Sequence, residues 1–127
     1  MDDLQLDDRD LARMLSLGRT VIGAFAFLAP HRFAAMWTGE DAGAAATGVA
    51  MRGLGARDVA LGLGTLMALE GDGPVRRWLE AQALADASDA ASTLMSMNRL
   101  RGFRRWVSLA TAGTSCYLAV RLSNSLD

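Results

Sequence analysis

The chain contains no lysine, one cysteine, one histidine and two prolines in 127 residues, and each scarcity removes a class of reading. A single thiol, Cys116, excludes a disulfide framework and a Cys-x-x-Cys metal or redox pair. Its apolar surroundings predict a buried, inert side chain. One histidine cannot build a histidine zinc site. His31 follows Pro30 at an expected helix exit, which favours a loop or interfacial role over catalysis. β-branched residues are sparse, and no alternating apolar and polar run is bounded by turn residues, so no strand pattern competes. Neither sign of charge dominates: 13 basic and 14 acidic residues leave a net charge of −1. There is no basic footprint, and nucleic acid is not an expected partner. A nucleophile elbow with a base partner is missing. Gly53-x-Gly55 lacks the third glycine of a dinucleotide loop and falls within a helix instead of after a strand. No cofactor and no metal are therefore expected. The N-terminus is acidic where a secretory signal begins basic and then runs apolar, so it is expected to persist as a polar lead-in.

What remains is rich in alanine and glycine, 51% hydrophobic by count and only 6% aromatic. All 13 basic residues are arginine, a coding preference that also suits partly buried ion pairs. Turn residues divide the chain into a polar tail at 1–10, one domain of four helices at 11–122 and a tail at 123–127. Helix 1 is expected at 11–30, ending at Pro30. A connector at 32–43 follows, with a helical turn at 33–37 whose Phe33 and Trp37 suit a membrane boundary or a lid on a soluble bundle. Helix 2 is expected at 44–69 and is stopped by Gly71, Gly73 and Pro74. Helix 3 is expected at 75–97 and helix 4 at 106–122, with a basic connector at 99–105.

Hydropathy alone leaves membrane and water both open. A spanning helix shows about 18 apolar residues with few charges, and the longest charge-free run here, 106–120, has 15. The distribution of polar residues decides more. Gln82, Asp86, Asp89, Thr93 and Ser96 recur at steps of four and three, which is one helical face. Gly55, Asp58, Gly62 and Thr65 form a second stripe. Ser16, Arg19, Gly23 and Ala26 form a third, and Ser108, Thr111 and Ser115 a fourth. A soluble bundle needs a wide polar outer face on each helix; helices 1, 2 and 4 lack one. Narrow polar stripes on an apolar background are expected when polar residues face the interior of a membrane bundle. The expected fold is all-α, a transmembrane four-helix bundle, in a bacterial inner or plasma membrane.

Residues 52–63 read Arg-Gly-Leu-Gly-Ala-Arg-Asp-Val-Ala-Leu-Gly-Leu. This segment resembles the RxxGxRDxxLGL signature of small bacterial and fungal integral membrane proteins, the domain of unknown function 4267 type. Gly18 and Arg19 followed by Gly23 and Pro30 are similar to that family's first helix, and Asp86 and Asp89 match its acidic third helix. The resemblance spans 14–122. It implies a four-helix membrane protein and carries no activity with it.

Six charges fall inside the expected helices: Arg19, Arg52, Arg57, Asp58, Asp86 and Asp89. An unpaired charge at mid-membrane costs about 2.5–3.5 kcal/mol on insertion scales. Arg57 or Arg52 is therefore expected to pair with Asp86 or Asp89 across helices 2 and 3, with Gly53, Gly55 and Gly62 letting the backbones approach. Such a cluster serves either as an ion network that fixes packing or as a polar cavity for a head group, small solute or proton. Asp86-x-x-Asp89 as a magnesium site for a diphosphate would need further carboxylates, and only Asp58 is at hand. The 99–105 connector suits anionic lipid heads, but Arg9, Arg13, Arg76 and Arg77 at the other end leave orientation undetermined. Expected partners are membrane lipids, further copies of the chain or a larger membrane complex. The leading expectation is a non-catalytic scaffold, subunit or binder of lipid or small molecules. The alternatives are a membrane-embedded enzyme or transporter-like module, and a soluble bundle with a ligand cavity.

Overall fold

Asp8 and Asp10 stand in the first turn of the first helix, where carboxylates oppose the positive end of the helix dipole. From there the computed structural model describes residues 6–37, 39 and 42–126. Five helices follow in order: α1 Asp8–Leu28, α2 Pro30–Trp37, α3 Ala45–Glu70, α4 Val75–Met95 and α5 Arg104–Ser125. The described residues contain no strand, and the fold is all-α.

The helix count is five instead of the expected four. Pro30 ends α1 because it cannot continue that ladder, but its fixed φ and absent N–H suit the first position of a new helix. The segment read as a connector with one turn is thus the eight-residue helix α2, and the Phe33 amide bonds back to the Ala29 carbonyl. The expected tails also shrink. α1 starts at Asp8 and α5 runs on to Ser125. Residues 1–5 and 127 of those tails lie outside the described residues, as do 38, 40 and 41 of the connector. The stop between α3 and α4 falls where the glycines and Pro74 place it.

α1 lies antiparallel on α3 in the most extensive helix contact of the fold, and α4 on α5 in the next. Glycine makes the first possible. A Cβ at Gly55 would stand 2.5 Å from the Gly23 carbonyl oxygen and 2.6 Å from the Phe27 nitrogen, both backbone atoms. At Gly62 it would stand 2.6 Å from the Ser16 carbonyl oxygen. The two backbones touch directly, as in small-residue packing between membrane helices.

Ala12, Ala68, Leu69, Val75, Leu79 and Leu122 close one end of the bundle as an apolar plug. Moving from that plug along α1, the buried positions are Ser16, Arg19, Gly23 and Ala26. Along α4 they are Gln82, Ala83, Ala85, Asp86 and Thr93. The middle of the bundle is therefore polar. Large apolar side chains face outward instead: Leu17, Val21, Phe27, Leu28, Met67, Leu84 and Val120 are all exposed. Among the described residues, only α1 is long and apolar enough to cross a membrane by length and composition alone.

Candidate functional site

The site begins with the three-and-four spacing of polar residues on three helices. Ser16 and Arg19 on α1, Asp58 and Thr65 on α3, and Gln82 and Asp86 on α4 all point to the bundle axis, and all six are buried. Gln82 joins them. Its Nε2 donates to Ser16 Oγ at 3.0 Å and to Thr65 Oγ1 at 2.5 Å. Thr65 Oγ1 in turn donates to the Leu61 carbonyl at 2.9 Å. The Gln82 Oε1 accepts from Arg19 Nε at 3.1 Å, so both ends of the amide are used.

Arg19 is the hub. Its Nη1 donates to Asp58 Oδ1 at 3.1 Å, and its Nη2 donates to Asp86 Oδ1. A second guanidinium extends the network toward α2. Arg57 donates through Nε and Nη2 to Asp58 Oδ1 at 3.1 and 2.9 Å. It also holds Asp89 in a two-point grip, Nη1 to Oδ1 at 3.0 Å and Nη2 to Oδ2 at 2.8 Å. A two-point arginine–carboxylate pair fixes direction as well as distance, and this one ties α3 to α4. Arg57 and Asp89 are more open to solvent than Arg19 and Asp86.

Five of the six charges singled out from the sequence thus meet in one network. Arg52 does not. It is exposed, and no hydrogen bond joins it to the network among the described residues. Six residues along an α-helix from Asp58 it sits about 120° away around the axis, off the buried face. The α3–α4 pair is Arg57 with Asp89, while Asp86 goes to Arg19 on α1. That α1 connection, and the part of Gln82 as the coupling between ion pairs and hydroxyls, are features sequence reasoning did not assign. The signal was present: Gln82 belongs to the same stripe as Asp86, and Arg19 to the same stripe as Ser16.

The balance of charge is uneven. Two guanidiniums face three carboxylates, Asp58, Asp86 and Asp89. Asp86 is 5% exposed, and its Oδ2 is buried with no hydrogen-bond partner among the described residues. Buried carboxylate oxygens are normally satisfied, so such an atom calls for an explanation. Asp86 lines a cavity of about 270 Å³ together with Arg19, Trp37, Thr111 and Ser115. Trp37, read from sequence as a boundary residue or lid, forms one of its walls. Arg19 bridges Asp58 to Asp86 and Arg57 bridges Asp58 to Asp89, and among the described residues no three acidic, histidine or cysteine side chains are placed to hold one metal ion. A second cavity of about 220 Å³ adjoins Asp89, Thr93 and Phe33.

No family model, curated protein or solved structure matches the chain.

Proposed function

We propose that the chain is a small integral membrane protein, a helical bundle that acts as a non-catalytic binder or subunit built around its Arg/Asp/Gln network. The observation that carries this reading is the inversion of polarity. Arg19, Asp58, Gln82 and Asp86 are buried at the centre, while Leu28, Met67, Leu84 and Val120 are exposed. In water this arrangement is penalised twice, by exposed apolar area and by desolvated ions. In a bilayer the outward side chains meet lipid, and the ions find one another inside.

Helix length supports the same reading. At about 1.5 Å per residue, the 21 residues of α1 and α4, the 22 of α5 and the 26 of α3 each reach the roughly 30 Å of a hydrocarbon core. α3 and α4 fall short on composition because of their charges, and of these Arg57, Asp58, Asp86 and Asp89 are joined with Arg19 in the interior. The resemblance of 52–63 to the domain of unknown function 4267 type points the same way, to a bacterial inner or plasma membrane. Lipids are the surrounding partner on this reading, with further copies or a larger complex against the exposed helix faces.

The test is alkaline carbonate extraction of membranes from cells expressing the tagged chain. Retention in the pellet until detergent is added is the expected result. Release by carbonate, or recovery in the soluble fraction, overturns the proposal in favour of a soluble bundle whose apolar faces close against a partner.

A further inference from the structure

The network leaves one carboxylate oxygen without a donor, and that residue lines a cavity. Arg19 occupies only Oδ1 of Asp86, and Oδ2 is buried and unpartnered. An ionised carboxylate accepts through both oxygens, so Oδ2 can take one more donor, and with two guanidiniums against three carboxylates that donor is best a cation of charge one. The lack of three converging ligand side chains among the described residues argues against a metal ion there and for an ion that brings its own N–H groups.

We infer that the cavity between α1, α4 and α5 binds a small primary ammonium ion carrying a compact apolar body. The rest of the lining fits that chemistry. Thr111 and Ser115 on α5 line the same space, and each carries a hydroxyl oxygen that can accept a hydrogen bond. With Asp86 they make three acceptors for the three N–H bonds of an ammonium group. Met14, Ile22 and Trp37 supply apolar wall, and an indole face favours a nearby cation. At about 270 Å³ the space is small beside ordinary ligand pockets, which limits the ligand to one ring or a short chain. We take the mouth to lie between α1 and α5, which both line the cavity but make little contact with each other. Gly18 sits at it with nothing within 4 Å of where its Cβ would be. On the membrane reading proposed above, on which this inference rests, that mouth opens sideways toward lipid and admits an amphiphilic amine.

The test uses the purified full chain in detergent micelles, titrated with benzylamine by calorimetry and by tryptophan fluorescence. Benzyl alcohol serves as the neutral match in shape. Saturable binding of benzylamine and none of benzyl alcohol is expected. Asp86→Asn should weaken binding by about tenfold or more, the loss associated with one hydrogen bond to a charged group. Gly18→Leu, which fills the mouth without touching the ion network, should weaken it as much without lowering the unfolding temperature, and it carries the test if the Asp86 variant does not fold. Equal binding of the alcohol, no saturable binding by the wild-type chain, or undiminished binding by Gly18→Leu overturns the inference. A chain retained by carbonate-washed membranes that binds no amine refutes this inference alone. A chain released by carbonate refutes the membrane reading whether or not it binds the amine.

Discussion

Replacing Arg19 by methionine is the sharpest perturbation of this structure, because Arg19 is the charged group that joins α1, α3 and α4. Its side chain is 7% exposed, as buried as the 6% of Asp86. Methionine fills much of the same volume but donates nothing. Asp58 would keep the Nε and Nη2 of Arg57. Asp86 would keep no donor among the described residues, and the Gln82 Oε1 would lose its partner. Removing one member of a buried ion pair costs about 3–5 kcal/mol, since the other charge stays desolvated. For a chain of 127 residues, at roughly 3 °C per kcal/mol, that is a fall in Tm of about 9–15 °C.

The assay is thermal unfolding of the purified chain in one fixed detergent, followed by tryptophan fluorescence, for Arg19→Met, Asp86→Asn and the double variant. Asp86→Asn alone keeps an Oδ1 acceptor for Arg19 and removes one of three carboxylates facing two guanidiniums, so it should cost less than about 1 kcal/mol. The double variant removes the charge that the methionine stranded, and it should be more stable than Arg19→Met by about 2 kcal/mol, a coupling within the usual range for contacting residues. A Tm for Arg19→Met within about 3 °C of wild type would show that the network is not held in a dry interior. A double variant no better than Arg19→Met would show that Asp86 is not the group Arg19 neutralises.

Other substitutions probe the remaining joints. Gly55→Ala places a methyl group 2.5 Å from the backbone oxygen of Gly23, so α1 and α3 must separate. A loss of about 1–3 kcal/mol is expected from overpacking, read as a drop in Tm, and an unchanged Tm would contradict the direct backbone contact. Arg57→Lys keeps the charge but loses the two-point grip on Asp89. With the Arg57 side chain 32% exposed, the cost is expected near about 1 kcal/mol in a denaturant midpoint. Arg52→Ala, outside the network, should stay within about 0.5 kcal/mol of wild type by the same measurement. A larger effect would place Arg52 in the ion network after all.

The parts of this molecule that were legible in the sequence are those set by local spacing. Gln82, Asp86 and Thr93 announce a buried face of α4 through steps of four and seven, and Gly55 and Gly62 mark where α3 tolerates a neighbouring backbone. Gly71, Gly73 and Pro74 stop α3 because each weakens or forbids continued helix. What spacing does not encode is partnership between helices. Arg52 and Arg57 are equally basic and lie on the same helix, but a rotation of about 100° per residue turns one outward and the other toward Asp89. Arg19 lies nearer in sequence to the helix 2 charges than to Asp86, 67 positions away, and only the crossing of three helices brings it there. Pro30 was ambiguous for a physical reason: the same ring that ends one helix begins the next. Trp37 gave no sign that it would wall a polar cavity, since its apolar surface suits a boundary, a lid or a binding site equally.

On the membrane reading proposed above, the same geometry bears on why α3 and α4 do not pass as spanning helices by composition. Among the described residues only α1 is long and apolar enough to cross a membrane, and it carries Arg19, whose guanidinium serves two carboxylates on two other helices. α3 and α4 carry the rest, and any 18-residue stretch of α3 holds at least three charges. A count made helix by helix treats those charges as exposed to lipid, whereas Asp58 and Asp86 sit against Arg19 and Asp89 against Arg57. The penalty for a buried ion falls when its partner and its remaining hydrogen bonds are supplied at the same time. Here α1 supplies one guanidinium, α3 one guanidinium and one carboxylate, and α4 two carboxylates, so the charges of α1 and α4 are compensated only across the bundle. The small remainder, one carboxylate in excess, lies at Asp86, where the interior is also hollow. If the excess were structural, Asp86→Asn would lower stability, and amine binding would not change with it. Loss of binding with retained stability in that one variant separates a charge kept for packing from a charge kept for a ligand.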